Sequence, residues 1–143
     1  MIAYADTGFL VSLYGRDDHS PTAAALVKAR PVFLLTPLVE AEFTNALELR
    51  VFRNQWTARE ARLVRDNFLA HAATGVFQRE DLTPEIWEKA LLLARRHSAK
   101  LGTRTLDVVH VATAAALHAE AIYTFDQRQR KLAKSVQLRI LPA

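Results

Sequence analysis

The chain has no cysteine, one methionine and only four glycines among 143 residues. Without thiols there is neither a disulfide framework nor a thiolate metal site, so any metal must be held by oxygen or imidazole ligands. No apolar run approaches the roughly 18 residues that a membrane span needs. The amino terminus also lacks the basic segment and apolar stretch of a signal peptide, so a cytoplasmic location and no membrane contact are expected. Linkers, low-complexity segments and internal repeats are absent. What remains is the ordinary balance of a globular protein, 50% apolar and 24% charged, at the length of a single domain spanning 1–143. Nineteen Lys and Arg against fifteen Asp and Glu give +4, a surplus compatible with a polyanionic partner but not specific to one.

Few glycines beside abundant alanine and leucine point to a mostly helical chain. Short apolar runs at Ile2 to Ala5, Pro31 to Thr36 and Ala121 to Phe125 read as strands, with shorter candidates at Val76 to Gln78 and Val136 to Ile140. Helical windows fall at 8–14, 20–29, 37–53, 57–73, 84–101, 106–119 and 127–134. Thr36 before Pro37, Thr57, and Thr83 before Pro84 are suited to helix starts, because threonine caps and proline fits the first turn. Strands alternating with helices imply an α/β fold with a mostly parallel sheet covered on both faces.

In such sheets ligands bind beyond the carboxyl ends of the strands. The first strand ends directly at Asp6, and the strand near 121–125 ends at Asp126. The helix after Pro37 begins at the same rim. Stepping about 100° per residue from Leu38, the residues Val39, Phe43, Ala46, Leu47 and Leu49 form one apolar sector. Glu42 falls inside it, Glu40 at its edge and Glu48 opposite. A carboxylate on a core-facing side is costly unless paired, hydrogen-bonded or bound to a cation. Asp107 opens the run DVVHVATAAAL, in which only His110 and Thr113 are polar after the aspartate, so it stands in the first turn of a central buried helix.

Each acid has a structural reading of its own. Asp6 and Asp126 suit helix caps, Asp107 suits a first turn, and Glu42 could be paired with an arginine. Four acids at one rim have a simpler shared cause, a hard divalent cation such as Mg²⁺ or Mn²⁺, which selects carboxylate and water ligands and keeps crowded carboxylates ionised. One ion or two about 3.5–4 Å apart could then support hydrolysis of a phosphodiester by an activated water.

At this point the motifs "DTG", "VEAEFTNAL", "TLDVVHVATA" and "YTFDQR" resemble, in order and over essentially the whole chain, the PIN domain, in particular its small VapC-type toxins. The resemblance implies a PIN-like three-layer α/β/α sandwich with a parallel sheet of four or five strands. It implies a metal-dependent endoribonuclease whose catalytic and metal-holding quartet falls on Asp6, Glu42, Asp107 and Asp126. Thr124 matches a threonine or serine that lines such sites, where its hydroxyl would orient a water or a phosphate oxygen. It also implies Mg²⁺, replaceable by Mn²⁺, as cofactor, RNA as substrate, a cognate antitoxin as partner, and a homodimer. The chain departs from the pattern at Gly8, where relatives often carry serine, and at Gln127, Arg128 and Gln129, where some carry a further acid.

Other readings are weaker. The triplet Asp6-Thr7-Gly8 is spelled like an aspartic protease turn, but those enzymes are β-structured and pair two such turns. A receiver-type phosphoacceptor would want paired acids after the first strand and a late lysine. A PIN fold kept only as an RNA- or protein-binding module has no need of four clustered acids. Arg104, Arg128, Arg130, Lys131 and Lys134 could guide phosphates to the rim, whereas Arg50, Arg53, Arg59, Arg62 and Arg65 suit a soluble or partner-facing surface. The five histidines lack zinc-ligand spacing, His110 reads as a hydrogen-bonded core residue, and Trp56 and Trp87 read as fillers of core or interface gaps. No aromatic platform of the RNA-binding sheet type is apparent.

Overall fold

The computed structural model describes residues 1–143. Its strands are β1 (Ile2–Ala5), β2 (Val32–Leu35), β3 (Phe77–Arg79), β4 (Ala121–Tyr123) and β5 (Ile140–Leu141). They form one sheet in the order β3-β2-β1-β4-β5, parallel at every pairing. The sequences IAYA, VFLL and AIY explain the middle of that order. Ala3, Tyr4 and Ala5 are buried in succession, as are Phe33, Leu34 and Leu35, and successive strand side chains point to opposite faces. Both faces are therefore covered, as a parallel sheet requires. At the edges burial falls away: of β3 only Phe77 is buried, and neither residue of β5 is.

The helices are α1 (Thr7–Tyr14), α2 (Ser20–Leu26), α3 (Pro37–Phe52), α4 (Ala58–Ala72), α5 (Pro84–Leu93), α6 (Ala99–Leu101), α7 (Thr105–Ala116) and α8 (Gln127–Ser135). A 3₁₀ turn, Val27–Ala29, extends α2, and a π-helical turn, Ala94–Ser98, joins α5 to α6. One group packs α1 against α2, α3 and α4; the other packs α7 against α5 and α8. The caps follow from the sequence. Thr57 and Glu60 form a reciprocal capping box at α4, and Thr36 accepts from the Val39 N–H at α3. Gly102 ends α6 at φ 67°, a left-handed conformation that glycine adopts without penalty.

Three expectations shift. The strand expected to run to Phe125 stops at Tyr123, because the Thr124 hydroxyl accepts from the Asp126 N–H and turns the chain into α8. The strand expected from Val136 begins only at Ile140. Gln137 sits at φ 59°, and the Leu138 N–H bonds back to the Ala133 carbonyl, closing the helix first. Leu49, placed in the apolar sector of α3, is 37% exposed while Val39, Phe43 and Leu47 are buried. A sixteen-residue helix spans about 24 Å, against about 13 Å for a four-residue strand, so its last turns outrun the sheet.

The end of α1 is tight. A Cβ at Gly15 would lie 2.4 Å from Cη2 of Trp56 and 2.7 Å from the Val11 carbonyl oxygen. Gly15→Ala is expected to lower stability in urea unfolding by about 1–3 kcal/mol, the usual cost of overpacking. Adding Trp56→Ala should recover only part of it, since the backbone oxygen remains; an unchanged midpoint for the single variant would contradict this packing.

Candidate active site

The sheet order reverses direction at β1. From it the chain builds outward through β2 and β3 on one side and through β4 and β5 on the other, which makes the carboxyl ends of β1 and β4 a topological switch point. Ala5 pairs with Tyr123, and the Asp6 N–H bonds to the Tyr123 carbonyl at 3.1 Å. That register sets Asp6 beside Thr124. Here lies a cleft of about 430 Å³, lined by Asp6, Glu42, Asp107 and Asp126 together with Thr7, Gly8, His110 and Gln129. The four acids come from four separate segments. A second cavity of about 510 Å³ sits where β2 and β3 begin, contains no acid and is lined largely by apolar side chains.

The structural readings of the aspartates hold alongside their gathering. Asp6 caps α1, its Oδ1 accepting from the Phe9 N–H at 2.7 Å. Asp126 caps α8, its Oδ1 accepting from the N–H groups of Arg128 and Gln129 at 2.8 and 3.1 Å. Asp107, three residues into α7, accepts at Oδ2 from the Arg104 N–H at 3.0 Å. Capping and a site are not competing explanations here. The helix starts converge on the strand ends, so the capping carboxylates converge too, each pinned by backbone donors.

Glu42 is held differently. It does not pair with an arginine; its Oε1 takes both the Thr7 hydroxyl at 3.0 Å and the Nε2 of His110 at 2.6 Å. His110 Nδ1 lies 2.6 Å from the hydroxyl of fully buried Tyr4. This chain of three side chains ties β1, α7 and α3 together. Core placement of His110 follows from its sequence, but its grip on Glu42 does not, because the partner is 68 residues away. Thr124 is fully buried and its hydroxyl donates to Asp6 Oδ2 at 2.7 Å. It therefore holds an acid in place and is absent from the cleft lining, rather than presenting its hydroxyl to a water or phosphate. Arg50, assigned by sequence to an outer surface, instead lines the cleft mouth, 3.7 Å from Asp17 and over the ring of Trp56 at 4.9 Å. Trp87, expected to fill a core or interface gap, is 45% exposed on α5 and so does not fill the core.

Burial pushes the Asp6 carboxyl above its ordinary value, outweighing the hydrogen bonds from Thr124 and Phe9 and the attraction of His110. Glu42 goes the other way. Burial raises it, but the hydrogen bond and attraction of His110, with the Thr7 hydroxyl, outweigh that and leave it lowered. Burial, with Asp6 and Glu42 nearby, keeps the Tyr4 phenol well above its usual value, so it stays neutral. None of Asp6, Asp107 and Asp126 forms an ion pair with Lys or Arg.

The donor set suits a hard cation: it is all oxygen, and Asp126 Oδ2 and Glu42 Oε2 have no protein partner. As the side chains stand, no three acidic or imidazole groups are drawn together closely enough to hold an ion, so binding would require some of them to turn inward. A Cβ at Gly8 would meet the Asp6 carboxylate oxygens at 3.7 and 3.9 Å, ordinary contact. The site therefore has room for a small side chain at position 8, the place where the family resemblance implies serine. Gln129, in the first turn of α8, lines the cleft. Its Nε2 lies 3.4 Å from Asp107 Oδ1, and its buried Oε1 has no partner.

The sequence profile of the PIN domain matches residues 3–135. The chain belongs to the PIN domain family. Its fold is similar to that of VapC20 from Mycobacterium tuberculosis, a sarcin-ricin-loop-cleaving toxin. The TM-score is 0.68 and the identity 22%, over 92% of this chain and 94% of that one. VapBC2 from Rickettsia felis, solved on a fragment of promoter DNA, is similar at a TM-score of 0.69 and 14% identity, covering 98% and 97%. FitAcB from Neisseria gonorrhoeae gives 0.69 and 13%, covering 98% and 96%. At such identities these likenesses establish the PIN fold alone. No curated protein is a significant sequence match to this PIN domain.

Opposite shifts at two acids of this PIN domain give opposite pH signatures in the metal-free protein. With its folded value raised from 3.8, Asp6 carries a penalty that is full above that folded value and vanishes as pH falls through it. With its folded value below 4.5, Glu42 contributes stability that is full above 4.5 and is lost as pH falls through the folded value. Thermal melts in EDTA should show Asp6→Asn stabilising and Glu42→Gln destabilising at neutral pH, with both differences fading in acid. Asp6→Asn unfolding the chain would mean that its cap outweighs its desolvation. Thr124→Val should cost about 1.5–3 kcal/mol, the worth of a hydrogen bond to a charged group, in chemical unfolding.

Proposed function

We propose that this PIN domain is a Mg²⁺- or Mn²⁺-dependent endoribonuclease, the toxin of a toxin–antitoxin pair. One observation carries the reading: Asp6, 3% exposed, lies in a cleft with three further acids and has no lysine or arginine partner. An uncompensated carboxylate in that setting is costly, and a divalent cation is the group that would offset it. When bound, the ion supplies the Lewis acidity that activates a water and polarises a phosphoryl oxygen. Asp6, Glu42, Asp107 and Asp126 are the residues that would hold it.

The chain's own groups do the rest by positioning. Phe9 and Thr124 fix both oxygens of Asp6, and His110 with Thr7 fixes one oxygen of Glu42, leaving the other without a protein partner. Exposed Arg104 and Arg128 flank Asp107 and Asp126 and suit the approach of a phosphate backbone. The similar fold of a sarcin-ricin-loop-cleaving toxin supports RNA as the substrate class, and that of a Klebsiella pneumoniae toxin–antitoxin complex, with a TM-score of 0.60 and 16% identity over 89% of this chain and 88% of that one, supports an antitoxin partner. Trp87 and Leu91, four residues apart on α5 and 45% and 65% exposed, are apolar surface of the kind that protein partners or a homodimer cover.

Purified protein incubated with structured RNAs should cleave in Mg²⁺ or Mn²⁺ and stop in EDTA. Asp6→Asn and Asp107→Asn should fall to the EDTA background while remaining folded by circular dichroism. Cleavage that persists in EDTA and in both variants would sink the carboxylate–metal mechanism. No cleavage of any RNA by the wild type would favour a binding module on the same fold.

A further inference from the structure

Three rings are stacked at the edge of the cleft. Phe9 is fully buried, Phe125 lies against it at 5.4 Å between centroids and 23° between planes, and His19 lies on Phe125 at 4.1 Å and 10°. His19 and Phe125 both line the cleft that holds the four acids. The stack runs from the core outward and ends in an exposed ring. No further ring covers His19, and neither of its ring nitrogens has a hydrogen-bond partner, so its side chain is placed by Phe125 alone.

The backbone beneath it is held firmly. Asp17 accepts the His19 N–H at Oδ1, 2.8 Å, and the Ser12 hydroxyl at Oδ2, 2.8 Å, while Arg50 approaches Oδ2 to 3.7 Å. Ser20 accepts from the Asp17 N–H at 2.9 Å and donates to the Ser12 carbonyl at 2.6 Å. A small loop is thus anchored to α1, and its outcome is an aromatic face presented at the lip of an acidic cleft. Such a face suits a flat π-system, and unpaired bases stack on aromatic side chains irrespective of sequence.

Resting on the ribonuclease reading, we propose that the outer face of His19 is a base-stacking site that receives an unpaired nucleobase of the RNA and so sets the strand against the acidic cleft. A paired base keeps its neighbours within the helix and cannot offer its face, so the site selects single-stranded or looped RNA over duplex. His19 and Phe125 act as a positioning pair, with Phe125 as the backing that keeps the imidazole flat.

The test uses a short single-stranded RNA carrying 2-aminopurine, alone or annealed to its complement, in Ca²⁺ buffer. The wild type should quench the single strand's fluorescence and leave the duplex unchanged. His19→Ala should weaken binding roughly 5- to 150-fold, the loss equivalent to one stacked base. His19→Phe, which restores a ring, should recover most of it. In cleavage assays with Mn²⁺, His19→Ala should raise KM and leave kcat within a few-fold. Equal quenching by wild type and His19→Ala, equal loss in His19→Ala and His19→Phe, or no quenching by the wild type would each overturn the stacking site. A wild type that quenches the single strand but cleaves nothing would overturn the nuclease reading and leave the stacking site standing.

Discussion

The burial of Asp6 is the constraint on which the rest of the site depends. The residue follows directly from the central strand, its N–H bonded to the Tyr123 carbonyl of β4, where water is nearly excluded. A charged oxygen pair there must be met by donors on both sides. The Phe9 N–H comes from the first turn of α1, and the Thr124 hydroxyl from the turn that ends β4. Meeting that need forces the β4 exit to bend at Thr124, and the bend places Asp126 at the start of α8 on the same rim. One buried carboxylate thereby organises two strand ends and two helix starts.

A second set of contacts locks the opposite wall. Tyr4, His110, Glu42 and Thr7 link β1, α7, α3 and α1 through hydrogen bonds, so the acid on α3 cannot move independently of the helix carrying Asp107. The pattern reverses the familiar arrangement in which a carboxylate orients an imidazole towards a metal. Here a phenol steadies an imidazole, and the imidazole steadies a carboxylate. The acids of this PIN domain thus differ in electrostatic character: burial outweighs the contacts of Asp6 and raises its pKa, whereas His110 and Thr7 outweigh burial at Glu42 and lower its pKa.

Much of this was legible in the chain itself. Consecutive apolar residues marked β1, β2 and β4 as doubly covered strands, and the lack of cysteine left only oxygen and imidazole as metal-binding donors. The positions of Asp6 and Asp126 after strands, and the phase of Glu42 in its helix, pointed to one rim before any coordinates. Less legible were features set by distant partners. Helical phase put Leu49 inside and could not name His110 as the partner of Glu42, because period alone knows neither where a sheet ends nor which residue lies across a cleft. His19 carried no motif, and its stack on Phe125 joins positions 106 residues apart.

Local chemistry therefore determined the element types, the caps and the identity of the four acids, since those depend on residues within a turn or two of one another. Tertiary structure alone decided which acid is buried without a Lys or Arg partner and which is held by His110, that Thr124 faces Asp6 rather than the cleft, that Arg50 lines that cleft, and that an aromatic ring ends at its lip. The physical reason is that desolvation and hydrogen bonding are properties of neighbours in space, and in a parallel sheet those neighbours arrive through long crossovers that leave no local trace.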